Sequence, residues 1–136
     1  VTAARILVIE DNEESLELAS YLLTAAGYSV LCARDGVEGV ASALRERPNL
    51  VLCDLQMPRL DGYGVLEQLR EHPHTRSIPV VAVTAQSMTG DRDRAIAAGF
   101  DGWQSKPIDP QAFVALIEAF LPEILHAAPP RHRGGT

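Results

Sequence analysis

The stretch Arg5-Ile-Leu-Val-Ile-Glu-Asp-Asn12 decides how the rest of the chain is read. Its first half is an apolar run rich in β-branched side chains, the composition of a buried strand, and it stops at two consecutive acids. Downstream, Leu16, Leu18, Ala19, Leu22, Leu23 and Ala26 fall at helical spacing between Glu13 and Ala26, and Gly27 supplies the left-handed stop that helices favour. Strand, acidic turn and helix together predict a βα unit.

The same rhythm continues outward. Tyr28 to Ala33 reads as a strand, Gly36 to Arg47 as a helix that Asp35 caps, Leu50 to Cys53 as a strand, and Gly62 to His72 as a helix. Pro79 to Val83 is a fourth strand, Thr89 to Ala98 a helix closed by Gly99, and Gly102 to Ser105 a weaker fifth strand. Asp109-Pro110 starts a last helix running to about Leu121, because proline is tolerated at the first helical position. Five strands alternating with five helices imply an α/β fold: a doubly wound parallel sheet with right-handed crossovers and helices on both faces. The near-continuous apolar third and fourth strands suit the middle of such a sheet, and the second and fifth suit its edges.

The chain has 136 residues, room for one domain over 1–121; residues 122–136, with Pro129-Pro130 and Gly134-Gly135, read as a flexible extension. The composition is 46% hydrophobic and 22% charged, that of a globular protein. A formal net charge of −6 argues against nucleic acid as a direct partner. Neither a membrane span nor a secretory leader is evident, so a cytoplasmic location is expected. Cys32 and Cys53 lie in apolar runs and are expected to be buried thiols, and His72, His74, His126 and His132 form no metal-ligand pattern.

In open parallel sheets, ligands bind beyond the carboxyl ends of the strands. Glu10 and Asp11 follow the first strand, Asp54 the third, Thr84 the fourth and Lys106 the fifth, so all five open onto one rim. Converging carboxylates repel one another, and a hard divalent cation relieves that repulsion; acids without histidine or cysteine partners suit Mg2+. Mg2+ commonly bridges to phosphate, for which a lysine and a hydroxyl supply the remaining contacts and a carboxylate can be the nucleophile.

Four segments carry a resemblance: Ile6-Leu-Val-Ile-Glu-Asp-Asn12; Asp54-Leu-Gln-Met-Pro58 with Asp61-Gly62; Val81-Ala-Val-Thr-Ala85; and Lys106-Pro107. Each is weak alone, but in this order and spacing the sequence resembles the receiver domains of two-component response regulators over about Arg5 to Leu121. The stretch Met88-Thr-Gly-Asp-Arg92 is similar to stand-alone regulators of the cell-cycle type and to receivers within hybrid histidine kinases. The resemblance implies a flavodoxin-like sheet of order 2-1-3-4-5. It implies Asp54 as phosphoacceptor, with Mg2+ held by Asp11, Asp54, the backbone carbonyl of Gln56 and, through water, Glu10. Thr84 and Lys106 would contact the phosphoryl group, beside a cis peptide to Pro107. The donor would be the phosphohistidine of a histidine kinase or histidine phosphotransfer protein. Output would be contact with a protein target, or with a second copy, through the fourth helix, fifth strand and fifth helix, including Arg92, Arg94, Ile96, Gln104, Ala112 and Ala115. Such a chain is a switch rather than an enzyme.

Blander readings exist for each residue. Asp54 alone could cap a helix, Glu10 and Asp11 could be first-turn charges favoured by a helix dipole, Thr84 could merely end a strand, and Lys106 could be a surface lysine. Two departures from the commonest family pattern matter. Trp103 stands where the family usually has tyrosine or phenylalanine as the rotating switch aromatic. Gln56 and Gln86 stand two residues beyond Asp54 and Thr84, where the family tunes the phosphoryl lifetime. Competing functions are a phosphate-independent scaffold and an aspartate-nucleophile phosphatase; the latter expects a carboxylate where Gln56 stands.

Overall fold

The structure, a computed structural model, describes residues 4–85 and 89–121, without the side chains of 89–91. The elements alternate without exception: β1 (Arg5–Ile9), α1 (Glu13–Ala25), β2 (Ser29–Ala33), α2 (Gly36–Glu46), β3 (Leu50–Asp54), α3 (Gly62–Glu71), β4 (Val80–Thr84), α4 (Thr89–Ala98), β5 (Gly102–Ser105) and α5 (Pro110–Glu118). All strand pairs are parallel. The sheet order is β2-β1-β3-β4-β5, as expected for the flavodoxin-like α/β arrangement.

Local chemistry fixes the helix starts. Asn12, Asp35, Asp61 and Asp109 each sit in extended backbone with the side chain accepting an N–H of the first turn, at Ser15, Glu38, Gly64 and Gln111. Gly27 ends the first helical segment at φ 102°, a conformation costly for any residue with a Cβ. The limits of three strands differ from the sequence reading, and β2 starts at Ser29 rather than Tyr28. Pro79 has no N–H to donate, so β4 starts at Val80 and runs on through Thr84; β3 likewise runs on through Asp54.

The alternation of side chains along the central strands splits the core in two. Val51 and Cys53 of β3 join Val40, Ala43, Val65, Leu66, Leu69 and Ala95 beneath α2, α3 and α4. Leu50 and Leu52 join Leu16, Ala19, Leu23, Phe113 and Ile117 beneath α1 and α5. β3 and β4 are buried at every residue, which explains their unbroken apolar sequence. The edge position of β2 corrects one expectation. Cys53 is buried, but Cys32 is exposed, because α1 leaves that part of the edge strand open to a groove shared with Tyr21 and Arg34. His72 and His74 are exposed, whereas His126, His132 and the extension 122–136 lie outside the described residues.

Candidate functional site

Parallel strands of similar length end together, so residues at their carboxyl ends become neighbours whatever their distance in sequence. Asp54 closes β3 and pairs in register with Val83; Thr84 closes β4 and pairs with Ser105, one residue before Lys106. The Lys106 N–H donates to the Thr84 carbonyl at 2.8 Å, tying the β5–α5 loop to the end of β4. The Lys106–Pro107 peptide is cis, as expected.

Glu10, Asp11 and Asp54 each offer a carboxylate oxygen within 4.8 Å of the other two. Glu10 and Asp54 are buried and Asp11 is exposed, so the cluster opens to solvent on one side only. The Glu10 carboxylate accepts the Asn12 N–H at 3.1 Å, which folds the β1–α1 loop over it. The Asp54 carboxylate accepts the Gln56 N–H at 3.1 Å, which holds the start of the β3–α3 loop. That loop closes where Gly62 donates to the Leu55 carbonyl at 3.0 Å. A Cβ on Gly62 would lie 2.7 Å from the Asp54 carbonyl oxygen, so the close approach of α3 to the end of β3 requires glycine.

Lys106 is the cation of the cluster. Its ammonium lies 2.9 Å from Glu10 and 3.5 Å from Asp54, with a mostly covered side chain. Burial disfavours its charge, yet Glu10 and Asp54 together raise its affinity for the proton. Asp54 feels the opposite balance. Burial first, then hydrogen bonding and charge from Glu10, push its carboxyl up to about 7; the Gln56 N–H and the Lys106 ammonium only partly offset this. One ammonium does not neutralise three acids at this spacing.

The donor set fits a small hard cation. It is all oxygen, carries excess negative charge, and has no histidine or cysteine ligand competing among the described residues, which suits Mg2+ or a similar ion. Thr84 is buried at the strand end, and Trp103 is half-buried on β5, packed against the cluster beneath α2, α3 and α4. The Gln56 side chain is exposed beside the site, and Gln86 lies outside the described residues. On the α4–β5–α5 face, Arg92, Arg94, Ile96, Ala112 and Ala115 are exposed and Gln104 is half-buried.

Sequence reasoning missed two features of the site. The first is that Lys106 sits closer to Glu10 than to Asp54, which depends on loop geometry that no motif encodes. The second is a bidentate pair outside the acids, in which the Arg34 guanidinium donates to both Glu13 carboxylate oxygens at 3.1 Å and so braces the β2–α2 loop against the start of α1. The residues lie 21 apart in sequence, on exposed surface, and no pattern links them.

Comparison with known proteins places these observations. The family described as the response regulator receiver domain matches residues 6–118. The polar-differentiation response regulator DivK of Brucella anthropi is 37% identical over 116 residues, covering 85% of this chain and 94% of DivK. The chemotaxis protein CheY4 of Vibrio cholerae superposes with a TM-score of 0.83 at 26% identity, over 88% of this chain and all of that one. The receiver domain of a sensor histidine kinase from Pseudomonas aeruginosa, solved with a magnesium ion coordinated in its active site cleft, superposes with a TM-score of 0.80 at 30% identity, over 88% of this chain and 98% of that one.

Proposed function

The chain belongs to the response regulator receiver family, and we propose that it is a phosphorylation-dependent switch that takes a phosphoryl group onto Asp54. The observation that carries this reading is the meeting of three carboxylates and one ammonium at the ends of β1, β3 and β5. Asp11, Asp54 and the Gln56 backbone carbonyl would hold Mg2+, with Glu10 contributing through water. When bound, the metal neutralises phosphoryl oxygens and lowers the charge repulsion that an anionic donor meets.

An Asp54 carboxylate oxygen attacks phosphorus of a partner's phosphohistidine. The new P–O bond forms as the P–N bond breaks, and the imidazole leaves with the electron pair. Lys106 shifts from Glu10 toward the arriving phosphoryl oxygens, and the Thr84 hydroxyl donates to another of them. The acids would thus prepare Asp54 in two ways: a cation held by them would favour its ionised form, and would lower the repulsion met by the product. Gln56 and Gln86 set the lifetime of the acyl phosphate by orienting or excluding water. Trp103 moves with Thr84 and reports the state of the site to the α4–β5–α5 face, where a protein target or a second copy binds. Receivers of this family act as signalling switches rather than enzymes, and among the described residues no helix is long and apolar enough to cross a membrane.

The test is incubation with acetyl phosphate and Mg2+, followed by intact-mass measurement. Wild type gains one phosphoryl group, Asp54→Asn gains none, and omission of Mg2+ abolishes the gain. Equal labelling of the Asp54→Asn variant overturns the assignment.

A further inference from the structure

Residues 55–61 join Asp54 at the end of β3 to the start of α3 and include Gln56, the proposed backbone ligand of the cation. Main-chain bonds tie the two ends of this loop: Leu55 donates to the Val83 carbonyl at 2.9 Å, and Gly62 donates to the Leu55 carbonyl at 3.0 Å. Near its far end stands Leu60, half-buried and packed against the core beneath α2, α3 and α4. Leu60 fills space that two glycines leave. A Cβ on Gly64 of α3 would lie 2.4 Å from Leu60 Cδ1 and 3.3 Å from Leu60 Cγ, and a Cβ on Gly36, the first residue of α2, would lie 2.4 Å from the Leu60 carbonyl oxygen and 3.0 Å from Leu60 Cβ. Both helices therefore approach Leu60 more closely than a residue with a side chain allows. Beside it Arg59 holds φ 68°, an uncommon conformation for a residue with a Cβ, and its guanidinium reaches Asp35, the N-cap of α2, at 3.6 Å. So exposed an ion pair contributes little, which leaves the packing of Leu60 to attach the loop to α2.

We propose that Leu60 is a positioning residue for the cation site: wedged between the starts of α2 and α3, it fixes the path of the loop, and with it the place of the Gln56 carbonyl, from four residues away. This rests on the reading of Gln56 as a metal ligand and deepens it. A loop tied only at its neck can take several paths between the ties, and a cation that needs one of them bears the entropy of ordering the rest. A branched side chain seated in a two-glycine notch removes that freedom before the cation arrives, so the backbone ligand is already in place. The wedge also makes α2 part of the site, although α2 supplies none of the acids: a displacement of Gly36 moves the Leu60 carbonyl and the loop with it.

Calorimetric titration with Mg2+, together with thermal unfolding in EDTA, tests it on the full chain. Leu60→Ala is expected to weaken Mg2+ binding about tenfold. Leu60→Met, which keeps the volume, is expected to bind within about twofold of wild type. The same holds for Ile117→Val, a truncation beneath α5 on the other face of the sheet that lowers stability without touching the loop. Gly64→Ala is expected to raise the melting temperature by about 3–6 °C more in the Leu60→Ala background than in wild type, because the added Cβ meets the Leu60 side chain only where that side chain is present. Leu60→Ala binding as tightly as wild type overturns the proposal, and so does an equal loss of affinity in Ile117→Val or a Gly64→Ala shift that is the same in both backgrounds. If Leu60→Ala does not fold, Gly64→Ala in the wild-type background decides: it pushes the wedge aside and is expected to weaken Mg2+ binding severalfold, and unchanged affinity overturns the proposal. A wild type that binds no Mg2+ overturns the metal reading and this one with it, a result distinct from binding that survives the loss of Leu60.

Discussion

Replacing Asp54 by asparagine should stabilise the metal-free protein, and should do so only above acidic pH. The carboxyl is pushed from 3.8 up to about 7 by burial and by Glu10, so the folded state holds its proton more tightly than the unfolded chain does. The sign follows from linkage: this group's contribution is most favourable below about pH 4, where both states are protonated, and is lost progressively as pH rises toward 7. That rise corresponds to a ceiling of roughly 4 kcal/mol. Glu10 and Lys106 readjust as Asp54 ionises, and the buried amide of asparagine still needs partners, so the expected gain at pH 8 is about 1–3 kcal/mol.

The assay is urea unfolding of wild type and Asp54→Asn in EDTA at pH 4 and pH 8. The two curves should nearly coincide at pH 4 and separate at pH 8 with the variant more stable. Comparing variants at each pH removes the contribution of ion pairs that weaken in acid for both, such as Glu13–Arg34. Adding Mg2+ at a hundred times its Kd should then raise wild type by about 2.7 kcal/mol and the variant by much less. A variant no more stable than wild type at pH 8, or a gap that does not change with pH, would refute the view that the acid cluster stores repulsion in the free protein.

Three further outcomes follow from the same geometry. Lys106→Ala removes the one ammonium that bridges Glu10 and Asp54, so thermal unfolding in EDTA at pH 8 should show a loss of about 1–3 kcal/mol that Mg2+ largely restores. Gly62→Ala forces a Cβ against the Asp54 carbonyl oxygen and the Leu55 Cα; destabilisation of about 1–3 kcal/mol by denaturant, with weaker Mg2+ binding by calorimetry, is the expected result. Cys32 should react with a maleimide in the folded protein whereas Cys53, whose thiol is pushed up by burial, should react only after unfolding; mass mapping of the labelled peptides distinguishes them.

The fold was legible because its signals are local and repeated. The apolar runs, the capping residues Asp35 and Asp109 and the stops at Gly27 and Gly99 each act within a few residues, and five repeats of one unit leave little choice of topology. The site was legible for a related reason: once the strands are parallel, their carboxyl ends coincide, and the acids at 10, 11 and 54 must meet Lys106. What sequence did not reveal depends on distances between loops. Cys32 looks like a core residue in its apolar run, and although β2 reads as an edge strand, only the placement of α1 beside it leaves the thiol open to a groove. The bracing of Arg34 on Glu13 likewise depends on side-chain placement rather than composition.

The charges of the site explain why a lysine and a cation are both needed on the proposed reading. With Glu10, Asp11 and Asp54 ionised and Lys106 protonated, the cluster carries two net negative charges, which one divalent ion balances. A phosphoryl group arriving on Asp54 restores an excess of negative charge, and the ion alone no longer suffices. Lys106 is already present, but in the free protein it is held mainly by Glu10, at 2.9 Å against 3.5 Å to Asp54. On that reading a bound cation would compete for the acids, and the ammonium would then be available to new anionic oxygens. The proposed order of events is then cation first, lysine second. A monovalent ion leaves one negative charge uncompensated, keeps Lys106 on Glu10, and should support no phosphorylation at any concentration that leaves the fold intact.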